Sequence, residues 1–407
     1  MFQQFTPFEY LLIEAANNKG MDKVTYTQRI DWVRSNLDNL EDFYDVAKEP
    51  FLYKKAVKNI RDVQAGKPTG ALVRFDSVNS GMQLLSVLTR CRKGCEATGA
   101  INKPVDERPN AYQEVANVMQ KMLGESIEVD PDSIKIAVMT ALYGSKAEPK
   151  KLFSGHQLDA FYAACNVVAP GAFKMLPIMV GAWNPNADSH SWVMPDGHQV
   201  YIPVMISGTL ELPIEELDGA VMNTFVTQQA PKDFSVSLAA HITHSVDSYV
   251  LRSLVRYCNY DKPKIIKLAK LIQVTLMERN LNMHQVTNCI AKQNLERVNL
   301  FDISIVDKIN EDNIRVYSSE VLRLVAVDIN QMLMNDPFDV VVVHDSFGCS
   351  PVNMNLLRGW YNEILARMSN SNLLEFIIEQ LLNEPTKIGV FQEDLSEEIR
   401  NNSYAIN

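Results

Sequence analysis

Two aspartates stand at the ends of apolar segments, where their carboxylates could act together on a phosphate. Asp76 follows segment 71–75, and Asp345 follows segment 338–343 and one histidine. Two carboxylates that face each other can hold two Mg²⁺ ions for an in-line attack on phosphorus. Either aspartate alone is more often a turn former or a helix cap. The chemistry therefore depends on whether the fold brings the two together.

A helix between these aspartates carries the other candidate residues. Asp130 is a good N-cap and Gly144 ends the apolar pattern, which predicts a helix between them. Lys135, Met139 and Tyr143 are spaced four apart, so they rise along one face of that helix. A lysine and an aromatic ring on one face could hold a triphosphate and align a base or a sugar. Taken singly, they are typical of an exposed lysine and a core tyrosine.

The elements that must position these residues indicate a mixed, helix-rich α+β fold. Helical spacing alternates with short β-type segments, and no repeat or linker separates the units, so we expect them to be interwoven. Helices are predicted within 1–60, 110–124 and 262–335, strands at 71–75 and 338–343, the second of them buried, and a Pro-Asp-Gly hairpin at 192–201.

Composition narrows the class of protein. The 407 residues suggest two or three structural units, and the net charge of -10 argues mildly against a solitary nucleic-acid binder. No apolar run is long enough to span a membrane, and no basic segment precedes an apolar start, so we expect a cytoplasmic protein. Cys91 and Cys95 lack nearby partner ligands, which disfavours a zinc site.

Several short segments resemble the phage-type single-subunit RNA polymerases, the family of phage and mitochondrial enzymes. The resemblance follows the family's order across most of the chain. Its three polymerase motifs correspond to Asp76–Gln83, to Lys135 with Tyr143 and Gly144, and to His344–Gly348. Weaker pieces are Gly20–Val24 with Arg29 and Ile30, Trp192–Gly197, His244–Ser248 and Leu395–Asn407.

The related DNA polymerases share this geometry, and three positions favour the RNA enzymes. The DNA enzymes typically carry a glutamate where this chain has Gly81, a bulky aromatic where it has Met139, and a glutamate where it has Ser346. The missing side chain at Gly81 is expected to leave room for a ribose 2′-hydroxyl, the group that distinguishes RNA from DNA. The resemblance therefore implies ribonucleoside triphosphates as substrates.

The resemblance implies a catalytic centre with two Mg²⁺ ions. Asp76 and Asp345 would ligate both ions, and the backbone carbonyl of Ser77 is a further oxygen ligand. Lys135 and Lys23 would neutralise the triphosphate. These assignments follow from matching positions in the family motifs.

The remaining assignments concern the sugar and the nucleic-acid strands. Tyr143 would lie against the incoming sugar and the template base, next to His244 near the 2′-hydroxyl, and Gly81 would shape this pocket. The resemblance assigns four further residues to the primer and template side, namely Gln83, Gly144, His344 and Ser346.

The chain also departs from the family pattern. An arginine that touches the triphosphate is replaced here by Pro131, so that basic contact is lost or is supplied by another residue. The connection between His244 and His344 is longer than usual, which indicates an insertion at 262–335. This insertion is equally well interpreted as a docking surface or as a palm extension.

The resemblance implies a right-hand polymerase architecture. Palm is expected at 1–105 and again at 244–407, with a carboxyl-terminal foot at 385–407, and fingers are expected at 106–243. A promoter-specificity hairpin is expected near 206–230. The family's amino-terminal domain, thumb and Asp-x-x-Gly-Arg palm segment have no counterpart in the sequence. The chain therefore resembles the larger, carboxyl-terminal subunit of a split two-subunit phage enzyme.

The function implied is that of a catalytic subunit of a DNA-directed RNA polymerase, acting in the cytoplasm of an infected bacterial cell. Expected partners are a second subunit with the missing parts, the DNA template, the nascent RNA, ribonucleoside triphosphates and a recruitment factor, but no membrane. Two alternatives remain open at this stage. One is a polymerase-derived scaffold without catalysis, and the other is a primase or terminal transferase on the same palm.

Overall fold

The computed structural model describes residues 2–124, 130–282, 295–391 and 393–407. The α-helices, labelled α1 to α16, are Pro7–Ala16, Tyr26–Ser35, Pro50–Gln64, Ser80–Leu88, Arg92–Thr98, Ala111–Leu123, Pro131–Leu142, Ala147–Leu152, His156–Val168, Pro170–Gly181, Ser237–Cys258, Lys262–Asn282, Ser319–Leu333, Met354–Ser369, Leu373–Leu382 and Ser396–Arg400. The strands, labelled β1 to β7, are Val73–Asp76, Ser189–Val193, Gln199–Pro203, Met205–Ile214, Ala220–Gln229, Val341–Val343 and Ser346–Cys349. The predicted α+β class is confirmed.

A three-stranded antiparallel sheet joins distant parts of the sequence. Its strand order is β1-β7-β6, and β1 pairs with β7 so that Asp76 lies opposite Ser346. In turn, β6 pairs with β7 so that Val343 also lies opposite Ser346. The expected interweaving of the units is therefore present in this sheet, because its strands come from both halves of the chain.

The two faces of this sheet differ in chemistry. Residues directly opposite one another share a face, so Phe75, Phe347 and Val342 form one row. Phe75 and Phe347 are buried in the hydrophobic core. Asp76, Ser346 and Val343 form the neighbouring row on the opposite face, which is partly open to solvent. The strand that carries Asp76 is thus held in place by aromatic packing on its buried face.

The prediction of a buried strand at 338–343 is wrong in two respects. The strand β6 covers only Val341–Val343, and it lies at the edge of the sheet. Val341 is 44% exposed and Val343 is 54% exposed. A run of valines predicts burial on both faces, but here only one face of an edge strand meets the core.

Helix α4 is the buried helix that follows β1. Asn79 is its N-cap, with a side-chain oxygen that accepts a hydrogen bond from the amide of Met82 at 2.9 Å. All residues from Gly81 to Leu88 are buried. The helix packs against α10, α11 and α14, and it therefore fixes β1 relative to the rest of the core.

The carboxyl-terminal segment packs onto the amino-terminal helices. Tyr404 stacks on Tyr26 with ring centroids 4.9 Å apart, and the Tyr26 hydroxyl donates to the carbonyl of Ile406 at 3.1 Å. Ile406 forms a β-bridge with Ser77, and Asn407 exchanges backbone hydrogen bonds with Asp76. The last residues of the expected foot thus border β1 at the position of Asp76.

The two other sheets are hairpins. The predicted hairpin at 192–201 is confirmed by the pairing of β2 with β3. Its turn residue Asp196 is buried and forms ion pairs with Arg252 and Arg256 of α11. A longer hairpin, β4 with β5, covers Met205–Gln229, where the specificity hairpin is expected.

The expected insertion at 262–335 is mostly helical where the structure describes it. Helices α12 and α13 lie within it and pack against each other, while residues 283–294 lie outside the described residues. Among the described residues, no single helix is long and apolar enough to cross a membrane. Helices α9 and α10, which meet at 109°, satisfy the length and composition criteria only as a bent pair.

Candidate active site

A cleft of about 470 Å³ lies over the open face of β1. It brings together Asp76, Ser77, Lys135 and Lys23, which the sequence analysis assigned to the catalytic centre, and Ser346, which it assigned to the primer and template side. Asp345, Tyr143 and His244 are not among its lining residues. These residues come from β1, the start of α7, the loop before α2 and the start of β7. Its other charged lining residues are Glu14, Asp22, Lys48, Glu49, Arg74, Arg108 and Asp132.

The antiparallel pairing of β1 with β7 brings the two aspartates close to each other. Asp76 faces Ser346 across the ladder, and Asp345 directly precedes Ser346. The Ser77 hydroxyl donates to the Asp345 carboxylate at 2.8 Å, and the Ser77 amide donates to the Asp345 carbonyl at 3.3 Å. Ser77 therefore links the two strand ends that carry the carboxylates.

A tight turn connects β6 to β7 at this point. His344 occupies the turn with a φ of 55°, a left-handed conformation that is uncommon for a residue with a side chain. Such strain is typical of functional sites when the surrounding structure holds it in place. Here the two flanking strands and the hydrogen bonds from Ser77 to Asp345 hold it.

The donor set at this site fits Mg²⁺. The described residues contain no group of three or more His, Cys, Asp or Glu side chains arranged for a metal. Mg²⁺ usually keeps several waters and binds through one or two carboxylates together with substrate phosphates. The carboxylates of Asp76 and Asp345 meet that requirement, and the backbone oxygen of Ser77 is a further hard donor beside them.

Helix α7 exposes the predicted face, and Lys135 of that face lines the cleft. Lys135 is exposed, Met139 is 44% exposed and Tyr143 is partly exposed, whereas the opposite face of the helix is buried in the core. Asp130 caps the helix as expected, since its side chain accepts from the amides of Asp132 and Ser133. The ammonium of Lys135 lies 6.0 Å from the ring centre of Tyr112, at the outer limit of a cation–π contact.

Tyr143 and His244 are neighbours, as the resemblance implies. Their ring centres are 5.2 Å apart in an edge-to-face arrangement. Burial raises the pKa of Tyr143, and the negative charges of Asp247 and Asp345 raise it further. The Tyr143 hydroxyl therefore stays protonated at neutral pH and can donate a hydrogen bond.

Gly81 lies beside this pair in a tightly packed position, and the room expected there for a ribose 2′-hydroxyl stays a prediction. A Cβ atom there would lie 2.9 Å from Leu142 Cδ2 and 3.3 Å from both Thr243 Cγ2 and the Tyr143 hydroxyl. The space that a side chain would need is already filled. Gly81 thus permits Tyr143 and α11 to approach α4 closely.

The loop that carries Lys23 is held by a buried arginine. The guanidinium of Arg29 donates to the carbonyls of Val24 at 3.0 Å and Asp22 at 2.9 Å, and to the Asn17 side chain at 3.0 Å. These bonds fix the backbone on both sides of Lys23, whose own side chain is exposed in the cleft. Arg29 therefore holds the backbone that positions Lys23.

Two residues assigned to the primer and template side are buried away from the cleft, and a third, His344, is exposed but does not line it. Gln83 is fully buried, with its amide donating to the carbonyls of Thr98 and Ala405 and its oxygen accepting from the Tyr361 hydroxyl. Gly144 is buried with a φ of 84°, and it ends α7. Both assignments are therefore corrected, since these residues support the site without lining it. Ser346 does line the cleft.

Two charged residues near the site were missed by the sequence analysis. Arg108 lines the cleft and donates to the Asn407 side chain at 2.9 Å. Burial raises the pKa of Asp247 to about 6, with Asp345 raising it and His344 lowering it. Arg108 lies in a loop without periodicity, whereas the spacing of three between Asp247 and His244 on one helix could have indicated a shared face.

Comparisons with known proteins add no relatives at this point. Neither a scan of protein-family models nor a search of curated proteins finds a match for the chain.

Proposed function

We propose that this chain is the catalytic subunit of a DNA-directed RNA polymerase. One observation carries the proposal, namely that the pairing of β1 with β7 brings Asp76 and Asp345 to adjacent strand ends, beside a cleft lined by Asp76, Lys135 and Lys23. These residues are far apart in the sequence, and the family resemblance implies one centre for all of them. The arrangement suits transfer of a nucleotide from a triphosphate to a ribose hydroxyl.

The cations of the cleft would bind and orient the triphosphate. Lys135 at the start of α7 and Lys23 in the braced loop present ammonium groups to one cavity, where they neutralise phosphate charge. Arg108 lines the same cavity and is the best candidate to replace the arginine that Pro131 displaces. Asp76 and Asp345 would hold Mg²⁺, which supplies charge neutralisation at the reacting oxygens and lowers the pKa of the attacking hydroxyl.

The residues around Tyr143 would select ribose over deoxyribose. The Tyr143 hydroxyl lies next to Gly81, and His244 contacts the Tyr143 ring from α11. A site that hydrogen-bonds a substrate hydroxyl rejects the analogue lacking it, because its own polar group is left unpaired. Glycine at position 81 allows this packing, whereas the glutamate of the related DNA polymerases would collide with Leu142.

We also propose a palm and fingers division. The palm would comprise 1–105 and 244–407, because the sheet that bears the aspartates draws β1 from the first range and β6 and β7 from the second. The fingers would comprise 106–243, which include α7 and the cleft-facing Lys135. The foot at 385–407 would brace the palm through Ile406 and Asn407 beside Asp76.

A second polypeptide would complete the palm and supply the thumb. The support is the outer edge of β6, where Val341 and Val343 lie on the same face as Asp76 and remain about half exposed. Exposed edge strands with apolar side chains are unfavourable unless another element covers them. A partner that covers this edge would extend the floor of the cleft and grip the template and the nascent RNA.

The central experiment uses conservative substitutions of the two aspartates. We expect Asp76→Asn and Asp345→Asn each to reduce Mg²⁺-dependent primer extension below about a hundredth of the parental rate, since each removes a charged metal ligand at constant volume. The enzyme is purified together with its partner subunit and assayed on single-stranded DNA. Asp312→Asn, at an exposed position of the insertion, is the matched control and should extend RNA normally. Parental activity in either cleft variant would refute the assignment.

A further inference from the structure

The hairpin of β4 and β5, here called the ribbon, is exposed along its length. It pairs residue by residue from Met205 with Gln229 to Ile214 with Ala220. Its base is tied down, because the Gln229 amide donates to the Tyr201 hydroxyl at 2.8 Å and to the Asp188 carbonyl at 3.2 Å. Nearly all residues of both strands are nonetheless exposed to solvent.

The ribbon has one apolar face. Residues that pair across an antiparallel ladder share a face, and successive residues alternate between faces. One face is polar apart from a few apolar residues, including Phe225, which is 87% exposed. The other face is mainly apolar and carries Ile206, Leu210, Leu212, Ile214, Ala220, Met222 and Val226, together with Gly208, Thr224 and Gln228.

Such a face is typical of a strand pair that is covered on one side. Leu210, Leu212 and Met222 are each more than a third exposed here, although their alternation matches that of half-buried strands. A two-stranded ribbon is only marginally stable in water unless its apolar face packs against something. The alternation therefore indicates an occupant for this face.

The charge of the ribbon selects the kind of occupant. Residues 205–229 contain no lysine or arginine, and their four carboxylates are Glu211, Glu215, Glu216 and Asp218. Binding to DNA or RNA depends on cations that neutralise phosphates, so this segment is unsuited to a nucleic acid. The ribbon of a second copy is disfavoured for the same reason, because it would bring no lysine or arginine to the acidic tip.

We infer that the ribbon is a docking arm for a second protein, whose apolar surface is edged by lysines or arginines. Apolar side chains of the ribbon would fill the centre of the contact, and the carboxylates at its tip would pair with the basic edge. The inference rests on the ribbon alone and does not depend on the proposed polymerase activity. It assigns to 205–229 a protein contact in place of the promoter contact that the resemblance implies.

A pair of synthetic peptides tests this chemistry on the purified full chain. One peptide is an amphipathic helix with leucines on one face and lysines on both flanks, and the other has glutamates in place of the lysines. Fluorescence anisotropy should show binding of the lysine peptide at least about tenfold tighter than that of the glutamate peptide, and weakening with salt. Equal affinity for both peptides would overturn the inference.

Variants then locate the contact. Leu210→Ser with Leu212→Ser, on the apolar face, should weaken the lysine peptide by at least about tenfold, because two anchors are removed. Thr209→Ala with Asn223→Ala, on the opposite face, is the matched control and should bind normally. If the apolar-face variant binds as tightly as the parent, or the control variant loses binding, the docking face is not the one assigned.

The nucleic-acid alternative has its own measurement. Labelled single-stranded and duplex DNA are titrated with the parent and with the Leu210→Ser, Leu212→Ser variant at fixed salt. DNA affinity should stay within about twofold, since the ribbon supplies no cation to the phosphates. A tenfold loss of DNA affinity would instead establish the ribbon as a DNA-binding element and overturn the inference.

Discussion

Replacing Gly81 by alanine tests the packing of α4 against Tyr143 and α11, where the sugar pocket is proposed. The added methyl would lie 2.9 Å from Leu142 Cδ2 and 3.3 Å from Thr243 Cγ2. Neither neighbour can easily move, because both are buried and the Thr243 hydroxyl donates to the carbonyl of Ala239 at 2.9 Å. The methyl would also approach the Tyr143 hydroxyl at 3.3 Å, so the change acts on the pocket as well as on the core.

Two opposing contributions set the size of the effect on stability. Alanine in place of glycine inside a helix stabilises by about 0.5–1 kcal/mol. Overpacking of a filled core destabilises by about 1–3 kcal/mol. The net effect of Gly81→Ala should therefore be a loss of about 0–2.5 kcal/mol in the free energy of unfolding.

Gly359 provides the matched control for this change. It lies inside α14, and a Cβ atom there would meet nothing within 4 Å. Gly359→Ala should raise the free energy of unfolding by about 0.5–1 kcal/mol, which leaves a difference of about 1–3 kcal/mol between the two variants. Urea unfolding measures both. If Gly81→Ala is as stable as Gly359→Ala, the close contact between α4, α7 and α11 is refuted.

Three further changes probe the sugar site, the hairpin turn and the open sheet edge. Tyr143→Phe should keep most activity but reduce ribose selectivity by about 1–3 kcal/mol in mixed-nucleotide extension; unchanged selectivity would remove Tyr143 from the sugar site. Burial alone would raise the pKa of Asp196, but hydrogen bonds and charge from Arg252 and Arg256 lower it below its ordinary value of 3.8. The ionised carboxylate therefore stabilises the fold above pH 3.8, and this contribution is lost as pH falls further. Asp196→Asn should lower the free energy of unfolding by about 2 kcal/mol at pH 7 and by less at pH 3, as measured by urea unfolding. An equal loss at both pH values would contradict a role for the ionised carboxylate. Val343→Asp, on the open edge of β6, should prevent co-purification of a partner subunit, whereas the control Val352→Asp should not. If both variants still co-purify with the partner, the partner does not bind at this edge.

Local signals in the sequence were sufficient to predict helix α7 and its exposed face. Asp130 caps the helix through its own side chain and Gly144 ends it with a left-handed backbone, and both effects depend only on neighbouring residues. The strand before Asp76 was likewise predictable, because a short apolar run is followed by a polar turn. The juxtaposition of Asp76 with Asp345 was expected only through the family resemblance, since no local pattern encodes pairing between distant strands.

Other features depend on tertiary packing that a single sequence does not specify. Gln83 belongs to the motif Asp76–Gln83, yet it is buried, and its amide donates hydrogen bonds to carbonyls of two remote segments. The valines of β6 have the composition of a central strand, but their exposure depends on which strand pairs with them. Arg108 reaches the cleft from an irregular loop, whose path periodicity cannot predict. Neighbouring side chains from α7 and α11 leave no room for a Cβ atom at Gly81, and the motif around Gly81 does not reveal this.

The pairing of β1 with β7 has a consequence for how the protein could be assembled from pieces. The tip of the ribbon at Asp218 and Gly219 is exposed, and it lies between the two aspartates in the sequence. A polypeptide divided there would have Asp76 on one fragment and Asp345 on the other. Neither fragment could then form the carboxylate pair by itself, so recovered activity would report reassociation of the halves. The fold thus offers a natural split point for a complementation reporter, with exposed tips being the sites that best tolerate such breaks.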